Sequence, residues 1–283
     1  MLTVVLLSQC EKDEPQVTIP DDFFLNALID EGVDTNGDGI ISPAEAEAIT
    51  SLVVRECNIS DMTGIEAFIN LNTLICSYNH LTTLDVSNNT ALVNLYCYYN
   101  QLSSLNVSNN TALKYLACYY NQLITLDVTN NTALIELSCN NNQLTIFDVS
   151  NNTALEKLNC GVNGQYTLDV SNNTSIRDLD CGGNLLTTLN VSNNTALDHL
   201  WCDSNQLTTL DVSNNTALVW LYCGENQLTT LDLSNNTALY WLYLYDMPSL
   251  YKVCVWEIPF PPAGVTVFTG GSPNVYFTTD CSK

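Results

Sequence analysis

One 21-residue sentence is repeated down most of this chain, and its period constrains the fold more than any other property. A representative copy runs Leu92-Val-Asn-Leu95-Tyr-Cys97-Tyr-Tyr-Asn100-Gln-Leu102-Ser-Ser-Leu105-Asn-Val107-Ser-Asn-Asn-Thr-Ala112, and the copies extend from Leu71 to Ala238. Cys76, Cys97, Cys118, Cys139, Cys160, Cys181, Cys202 and Cys223 fall at 21-residue steps, and the asparagines three positions later keep the same interval. A unit this short cannot bury an apolar face alone, so it must stack on copies of itself as one rung of a solenoid. Side chains alternate faces along a strand, so Leu74, Cys76 and their equivalents point inward, and Ile75, Ser77 and theirs point outward. Stacked in register, eight such strands form a parallel sheet roughly 40 Å long at a spacing of about 4.8 Å.

The spacing Leu-x-x-Leu-x-Cys-x-x-Asn-x-Leu is that of a leucine-rich repeat with cysteine in place of a leucine. The predicted architecture is therefore a leucine-rich-repeat solenoid with a curved parallel β-sheet on the concave face and short turns or extended segments on the convex face. A small helical cap is expected at the N-terminus and a β-hairpin cap at the C-terminus. Residues 1–18 read as a signal and tether, 19–51 as the N-terminal cap and 52–70 as a degenerate first repeat. Residues 71–238 hold the eight regular repeats, and 239–283 a final degenerate repeat with its cap. The column from Asn79 to Asn226 should bond backbone groups where the chain leaves the sheet, since buried polar groups need partners. Ser87-Asn88-Asn89-Thr90 and its copies supply the back-side turns, and the recurring Asp85, Asp127, Asp148, Asp169, Asp211 and Asp232 fit a turn or capping role. Aligning Leu52 with Leu74 puts Val54 at the cysteine position and Cys57 at the asparagine position, where a buried structural thiol is expected. Gln165 stands at a leucine position, with Tyr166 beside it to fill the gap.

Ahead of the array, Asp21 is placed to cap a helix whose apolar face includes Phe24 and Leu28. That helix leads into Asp34-Thr-Asn36-Gly-Asp38-Gly39-Ile40-Ile41-Ser42-Pro-Ala-Glu45, which matches a calcium-binding EF-hand loop position by position. Asp34, Asn36 and Asp38 offer oxygens, Gly39 the sharp turn, Ile40 its carbonyl, Ser42 a hydroxyl or bridging water, and Glu45 a carboxylate at position 12. The expected cofactor is one structural calcium ion clamping the cap. Ser42 to Glu45 also reads as a helix start with a capping box and proline at the first helical position; both readings can hold together.

The chain contains 30 acidic and 7 basic residues, for a net charge of −23. Such a surface repels phosphate backbones and excludes nucleic acid as a partner while favouring basic partners and divalent cations. His80 and His199 lie far apart on the array and face no nucleophile pair, and neither a phosphate loop nor zinc spacing occurs, so no enzyme is expected. The ladder thiols occupy a leucine position and should behave as small buried hydrophobes. Cys254 and Cys281, left over in the cap, are candidates for one disulfide.

Repeated residues build the scaffold, so recognition falls to the variable outward columns. Near one end these hold Tyr78, Tyr96, Tyr98, Tyr99, Tyr115, Tyr119 and Tyr120, and near the other His199, Trp201, Trp220, Tyr222, Tyr240, Trp241, Tyr243 and Tyr245. Between them lie Asn140, Asn141, Asp178, Asp180, Gly182 and Gly183, small or acidic. Exposed aromatic clusters mark contact surfaces, although strand positions also favour rings that stack for stability. Tyr96, Tyr98, Tyr115, Tyr119, His199, Trp201, Trp220, Tyr222, Trp241 and Tyr243 are the expected ligand contacts.

Met1-Leu-Thr-Val-Val-Leu-Leu7-Ser8-Gln9-Cys10 resembles a bacterial lipoprotein signal, which implies lipidation of Cys10; the acidic Glu11-Lys12-Asp13-Glu14 resembles the export tags of outer-membrane lipoproteins. The repeat unit, over about Ile19 to Leu250, resembles the cysteine-bearing repeats of internalin-like surface proteins. The resemblance implies adhesion or protein recognition through the concave face. Glycan capture by the same aromatic platforms is the alternative. It further implies a surface-exposed lipoprotein of the bacterial outer membrane, acting as a monomer and touching the membrane through a lipid anchor only.

Overall fold

The computed structural model describes residues 15–282. Helix α1 (Asp22–Asp30) opens the described chain; its N-cap Asp21 accepts hydrogen bonds from the Phe23 and Phe24 N–H groups, and the helix buries Phe24, Ala27 and Leu28. The other oxygen of Asp21 accepts from the Ser60 and Asp61 N–H groups, tying the cap to the first rung. After the loop, α2 (Pro43–Ala48) begins with a reciprocal Ser42–Glu45 capping box. Among the described residues, no helix is long and apolar enough to cross a membrane.

Every later strand is three residues long, and nearly all of them are rungs. In chain order these are β1 (Ser51–Val53), β2 (Thr73–Ile75), β3 (Asn94–Tyr96), β4 (Tyr115–Ala117) and β5 (Glu136–Ser138). They continue as β6 (Lys157–Asn159), β7 (Asp178–Asp180), β8 (His199–Trp201), β9 (Trp220–Tyr222) and β10 (Thr230–Asp232). The last are β11 (Trp241–Tyr243), β12 (Lys252–Cys254), β13 (Thr266–Phe268) and β14 (Tyr276–Thr278). An eleven-stranded parallel sheet runs from β1 through β9 to β11 and β13, and a three-stranded sheet, β10-β12-β14, lies apart from it. The register is unbroken, with Leu52 against Leu74, Leu74 against Leu95, and so on along the stack. The chain is a leucine-rich-repeat solenoid of about 11 turns.

The core is a set of columns. Leu74, Leu95, Leu137, Leu158, Leu179, Leu200 and Leu221 are fully buried, as are all eight ladder cysteines. Each fully buried leucine contributes roughly 1.5–3 kcal/mol relative to exposure. Two asparagine ladders close the rung ends. In the first, Asn100 Oδ1 accepts from the Leu81 N–H at 3.0 Å, and its amide nitrogen donates to the carbonyls of Cys76 (3.1 Å) and Cys97 (3.0 Å). The second comes from the back-side turns: Asn110 is fully buried and donates to the carbonyls of Val86 and Asn89, both at 2.9 Å. The aspartate column makes local turns, Asp85 Oδ1 accepting from the Ser87 N–H at 2.9 Å. The side-chain and backbone donors of Ser87 hold the Asp85 carboxyl below its ordinary range.

Four expectations need correction. The C-terminal cap is not a β-hairpin: β13 pairs in parallel with β11 and β14 in parallel with β12. The turn residues from Gly270 to Asn274 carry the chain from one sheet to the other, and Ser272 takes the asparagine role there. Its hydroxyl accepts from the Met247 N–H and donates to the Leu244 carbonyl. Cys57 is half-buried rather than buried, its thiol against the Arg55 carbonyl at the open side of the first rung. Ser77, expected to face outward into solvent, is fully buried although it heads an outward column. Tyr166 does not fill the gap beside Gln165: Tyr166 is 63% exposed, while Gln165 itself is buried with its side-chain amide unpaired.

Candidate binding face

The outward side chains of the large sheet form four parallel columns. Thr73 and Ile75 begin the two strand columns; Ser77 and Tyr78 begin the two that follow the strand. The Tyr78 column lies in the left-handed region in rung after rung: Tyr78 (φ 57°), Tyr99 (53°), Tyr120 (51°), Asn141 (54°), Val162 (53°) and Ser204 (52°). Glycine and asparagine suit that conformation, whereas tyrosine and valine suffer a steric penalty of about 1 kcal/mol each.

Five tyrosines pack as two interlocked stacks at the N-terminal end. Tyr78, Tyr99 and Tyr120 stack face to face at 4.5 and 4.3 Å, and Tyr98 stacks on Tyr119 at 4.4 Å. The stacks meet edge to face, Tyr78 on Tyr98 at 5.5 Å and Tyr99 on Tyr119 at 5.9 Å. Arg55 closes one end, its guanidinium 4.6 Å above the Tyr78 ring. Burial and neighbouring Tyr98 push the Tyr119 phenol up to about 12. Of the expected contacts, Tyr98 and Tyr119 belong to this block. Tyr96 and Tyr115 sit on β3 and β4, outside its ring contacts. Along the block's outer edge, Tyr78, Tyr99 and Tyr120 line a cavity of about 530 Å³ together with His80, Gln101 and Gln122.

The second block brings together all the expected contacts at the other end. His199 stacks on Trp201 at 5.7 Å and meets Trp220 edge-on at 4.7 Å; Trp201 meets Trp220 at 6.0 Å and Tyr222 at 5.7 Å. Tyr222 stacks on Tyr243 at 3.9 Å, and Tyr243 on Phe268 at 4.3 Å. Phe268, which also stacks under Trp241 at 5.9 Å, escapes sequence reasoning because the repeat has decayed before it. Asp198 bonds the His199 Nδ1 at 2.5 Å and also pairs with Arg177 at 3.1 Å.

Between the blocks the face sinks. Gly161 and Gly182 occupy the column that holds Tyr98 and Tyr119 elsewhere, and the missing side chains leave a cavity of about 350 Å³ lined by Asn140, Asn159, Asp180, Trp201 and Asp203. Burial, with Asp203 and Asp178 nearby, pushes the Asp180 carboxyl up to about 6 despite the Gly182 N–H it accepts.

The calcium-type loop is compact. Asp34 accepts from the Gly37 and Gly39 N–H groups at 2.7 and 2.9 Å, Asn36 from the Asp38 N–H, and Asp38 from the Ile40 N–H. Glu45 closes the loop: one oxygen takes the N–H and hydroxyl of Thr35, the other those of Ser42. These donors, Ser42 first, hold its carboxyl down to about 2. Asp34, Asn36, Asp38, Ser42, Glu45 and the Ile40 carbonyl form an all-oxygen donor set on one loop, the chemistry a hard cation takes. The three carboxylates do not converge within 4.8 Å of one another. In the C-terminal cap the structure joins Cys254 to Cys281, with Cα atoms 5.4 Å apart. Cys10 lies outside the described residues.

With this geometry in hand, comparison with known proteins is specific. Residues 137–160 match the LVIVD repeat. Internalin J of Listeria monocytogenes serotype 4b (strain F2365) is 42% identical over 71 residues, which is 25% of this chain and 8% of that protein. The solved functional domain of InlJ from Listeria monocytogenes, which includes a cysteine ladder, superposes with a TM-score of 0.79 at 35% identity. The superposition covers 90% of this chain and 61% of that domain, so the chain spans less than two thirds of the relative. The internalin InlF of Listeria monocytogenes shares the fold, with a TM-score of 0.68 at 22% identity over 92% of this chain and 91% of that one. The chain is thus similar to internalin J in part of its sequence and in its leucine-rich-repeat fold.

Proposed function

We propose that this chain is a recognition module that binds a protein ligand on its concave face, displayed at a bacterial cell surface and serving adhesion. The observation that carries the reading is the segregation of variable residues. The scaffold columns barely change, while the outward columns gather aromatic rings into two blocks on one face. Tyr and Trp are the types that most often carry interface energy, and holding the rings in stacks on a regular scaffold lowers the ordering cost of binding. Tyrosines kept in the left-handed conformation at Tyr78, Tyr99 and Tyr120 support it further, since the scaffold would be better served there by glycine or asparagine.

Glycan binding is a second reading, favoured by the outer groove, where stacked Tyr78, Tyr99 and Tyr120 run beside His80, Gln101 and Gln122. Flat rings flanked by amides suit sugar faces and hydroxyls. Protein and glycan arrays probed with the full chain and with a Trp201→Ala, Trp220→Ala, Trp241→Ala variant separate the two. Protein binding abolished in the variant supports the first reading; glycan binding insensitive to it supports the second.

Two attachments belong to the same proposal. Cys10 would carry the lipid that holds the module at the outer membrane, testable by mass spectrometry of the membrane fraction. Asp34, Asn36, Asp38, Ile40, Ser42 and Glu45 would hold one calcium ion that fixes the loop between α1 and α2. Thermal unfolding with calcium and with chelator tests it: a calcium-dependent rise lost in Glu45→Gln supports the clamp, and no rise removes it.

A further inference from the structure

The depression between the two aromatic blocks differs from them in chemistry. Its floor is backbone: an added Cβ on Gly161 would lie 2.9 Å from the Gly182 carbonyl oxygen, so no larger residue fits without movement. Two carboxylates converge above that floor. An added Cβ on Gly182 would lie 3.0 Å from an Asp203 carboxylate oxygen and 3.5 Å from one of Asp180, and one on Gly161 3.1 Å from the same Asp180 oxygen. Among the described residues, neither acid forms an ion pair with a base; Lys157, the nearby cation, pairs with Asp178 at 3.3 Å. Asp203 accepts from the Tyr245 hydroxyl at 2.9 Å, and Asp180 from the Gly182 N–H at 3.1 Å. Trp201 and the carboxamides of Asn140 and Asn159 also line the depression.

A point cation is poorly served here, because no three ligand atoms from acids, histidines or cysteines of the depression lie within 4.8 Å of one another. A planar cation is well served. A guanidinium offers donors in a fixed fork that can engage two separate carboxylates, and its face stacks on an indole. The net charge of −23 adds a long-range attraction for a basic partner. We propose that this notch seats an arginine side chain of a basic protein segment, with Asp180 and Asp203 as its carboxylate partners and Trp201 as its stacking face. The proposal rests on the concave face being a protein-recognition surface and names the partner's chemistry at its centre. The aromatic blocks on either side would take the flanking residues, and the arginine fixes the register between them.

The test is calorimetric titration of the full chain, near physiological salt, with acetyl-Gly-Arg-Gly-Arg-Gly-amide and with its citrulline, lysine and calcium chloride counterparts. Citrulline keeps the shape and removes the charge. The arginine peptide should bind best, lysine more weakly and citrulline not measurably. Asp180→Asn with Asp203→Asn should weaken the arginine peptide by about tenfold or more, as loss of a desolvated charge partner does, and Trp201→Leu should also weaken it. A control variant, Asp148→Asn with Asp169→Asn, removes the same charge away from the concave sheet and should change nothing. Equal weakening in the control, or citrulline binding as well as arginine, overturns the proposal and leaves only diffuse attraction. So does a calcium signal abolished by Asp180→Asn with Asp203→Asn. If these variants leave arginine binding intact while the triple tryptophan variant still fails to bind protein on the array, the notch assignment fails and the recognition reading stands.

Discussion

Replacing Asp180 by asparagine should stabilise this protein at neutral pH. The substitution keeps the shape and the oxygen that accepts the Gly182 N–H, and removes one charge from a half-buried site facing Asp178 on its own strand and Asp203 beyond β8. Burial pushes the Asp180 carboxyl from 3.8 up to about 6. At roughly 1.4 kcal/mol per pH unit, ionising it in the fold opposes folding by at most about 3 kcal/mol. The site is partly reached by water and Lys157 lies nearby, which brings the expected gain to about 1–2 kcal/mol. The sign follows from proton linkage. The native state binds the proton more tightly than the unfolded chain, so stability from this group is full below pH 3.8 and is lost as pH rises through about 6. Denaturant unfolding of both proteins from pH 4 to pH 7.5 measures it. The variant should be more stable at pH 7.5, and the gap should shrink steadily and close near pH 4. A variant no more stable at pH 7.5, or a gap independent of pH, would refute the idea that the concave floor holds a destabilised charge.

Other consequences follow from the same geometry. Asn184→Ala should cost about 3 kcal/mol or more. Its side chain accepts from the Asn163 and Gln165 N–H groups and donates to the Cys160 and Cys181 carbonyls, and thermal unfolding reads the loss. Burial pushes the Cys97 and Cys223 thiols up to about 12 and raises the other ladder thiols well above their ordinary value. Timed thiol labelling of the native protein should therefore leave Cys76 to Cys223 untouched until unfolding and modify half-buried Cys57. Glu45 is held down to about 2 by Ser42 and Thr35, so the contribution of these hydrogen bonds is full above pH 4.5 and is lost as pH falls towards 2. The Thr35 and Ser42 amide resonances should titrate with a midpoint near 2; a midpoint near 4.5 would show that the hydrogen bonds do not form.

Much of this architecture is legible because a strict period makes every rung report on the others. Cys97 and Asn100 are buried for the same reason as Cys76 and Asn79, so one correct assignment is eight. Legibility fails where the period does. In the C-terminal cap, Val265-Thr-Val-Phe268 and Val275-Tyr-Phe277 have the alternation of a hairpin, and local pattern cannot show that each pairs with a strand about 25 residues earlier. Gln165 has no repeat partner of its own type, and sequence could not tell that its amide is buried. Asn89 and its copies are turn formers by type, and their burial as a second ladder appears only once rungs are stacked. The two aromatic blocks were visible as columns, but the depression between them was visible only as small residues. Its significance depends on two carboxylates meeting above Gly182, a relation between neighbouring rungs.

The central claim, that the concave face recognises protein, meets its most direct test in paired arrays of folded proteins and glycans probed with the full chain and the Trp201→Ala, Trp220→Ala, Trp241→Ala variant. The account predicts protein binding that disappears in the variant while its cooperative unfolding is retained. Protein binding of equal strength in both, or binding confined to glycans, would contradict it.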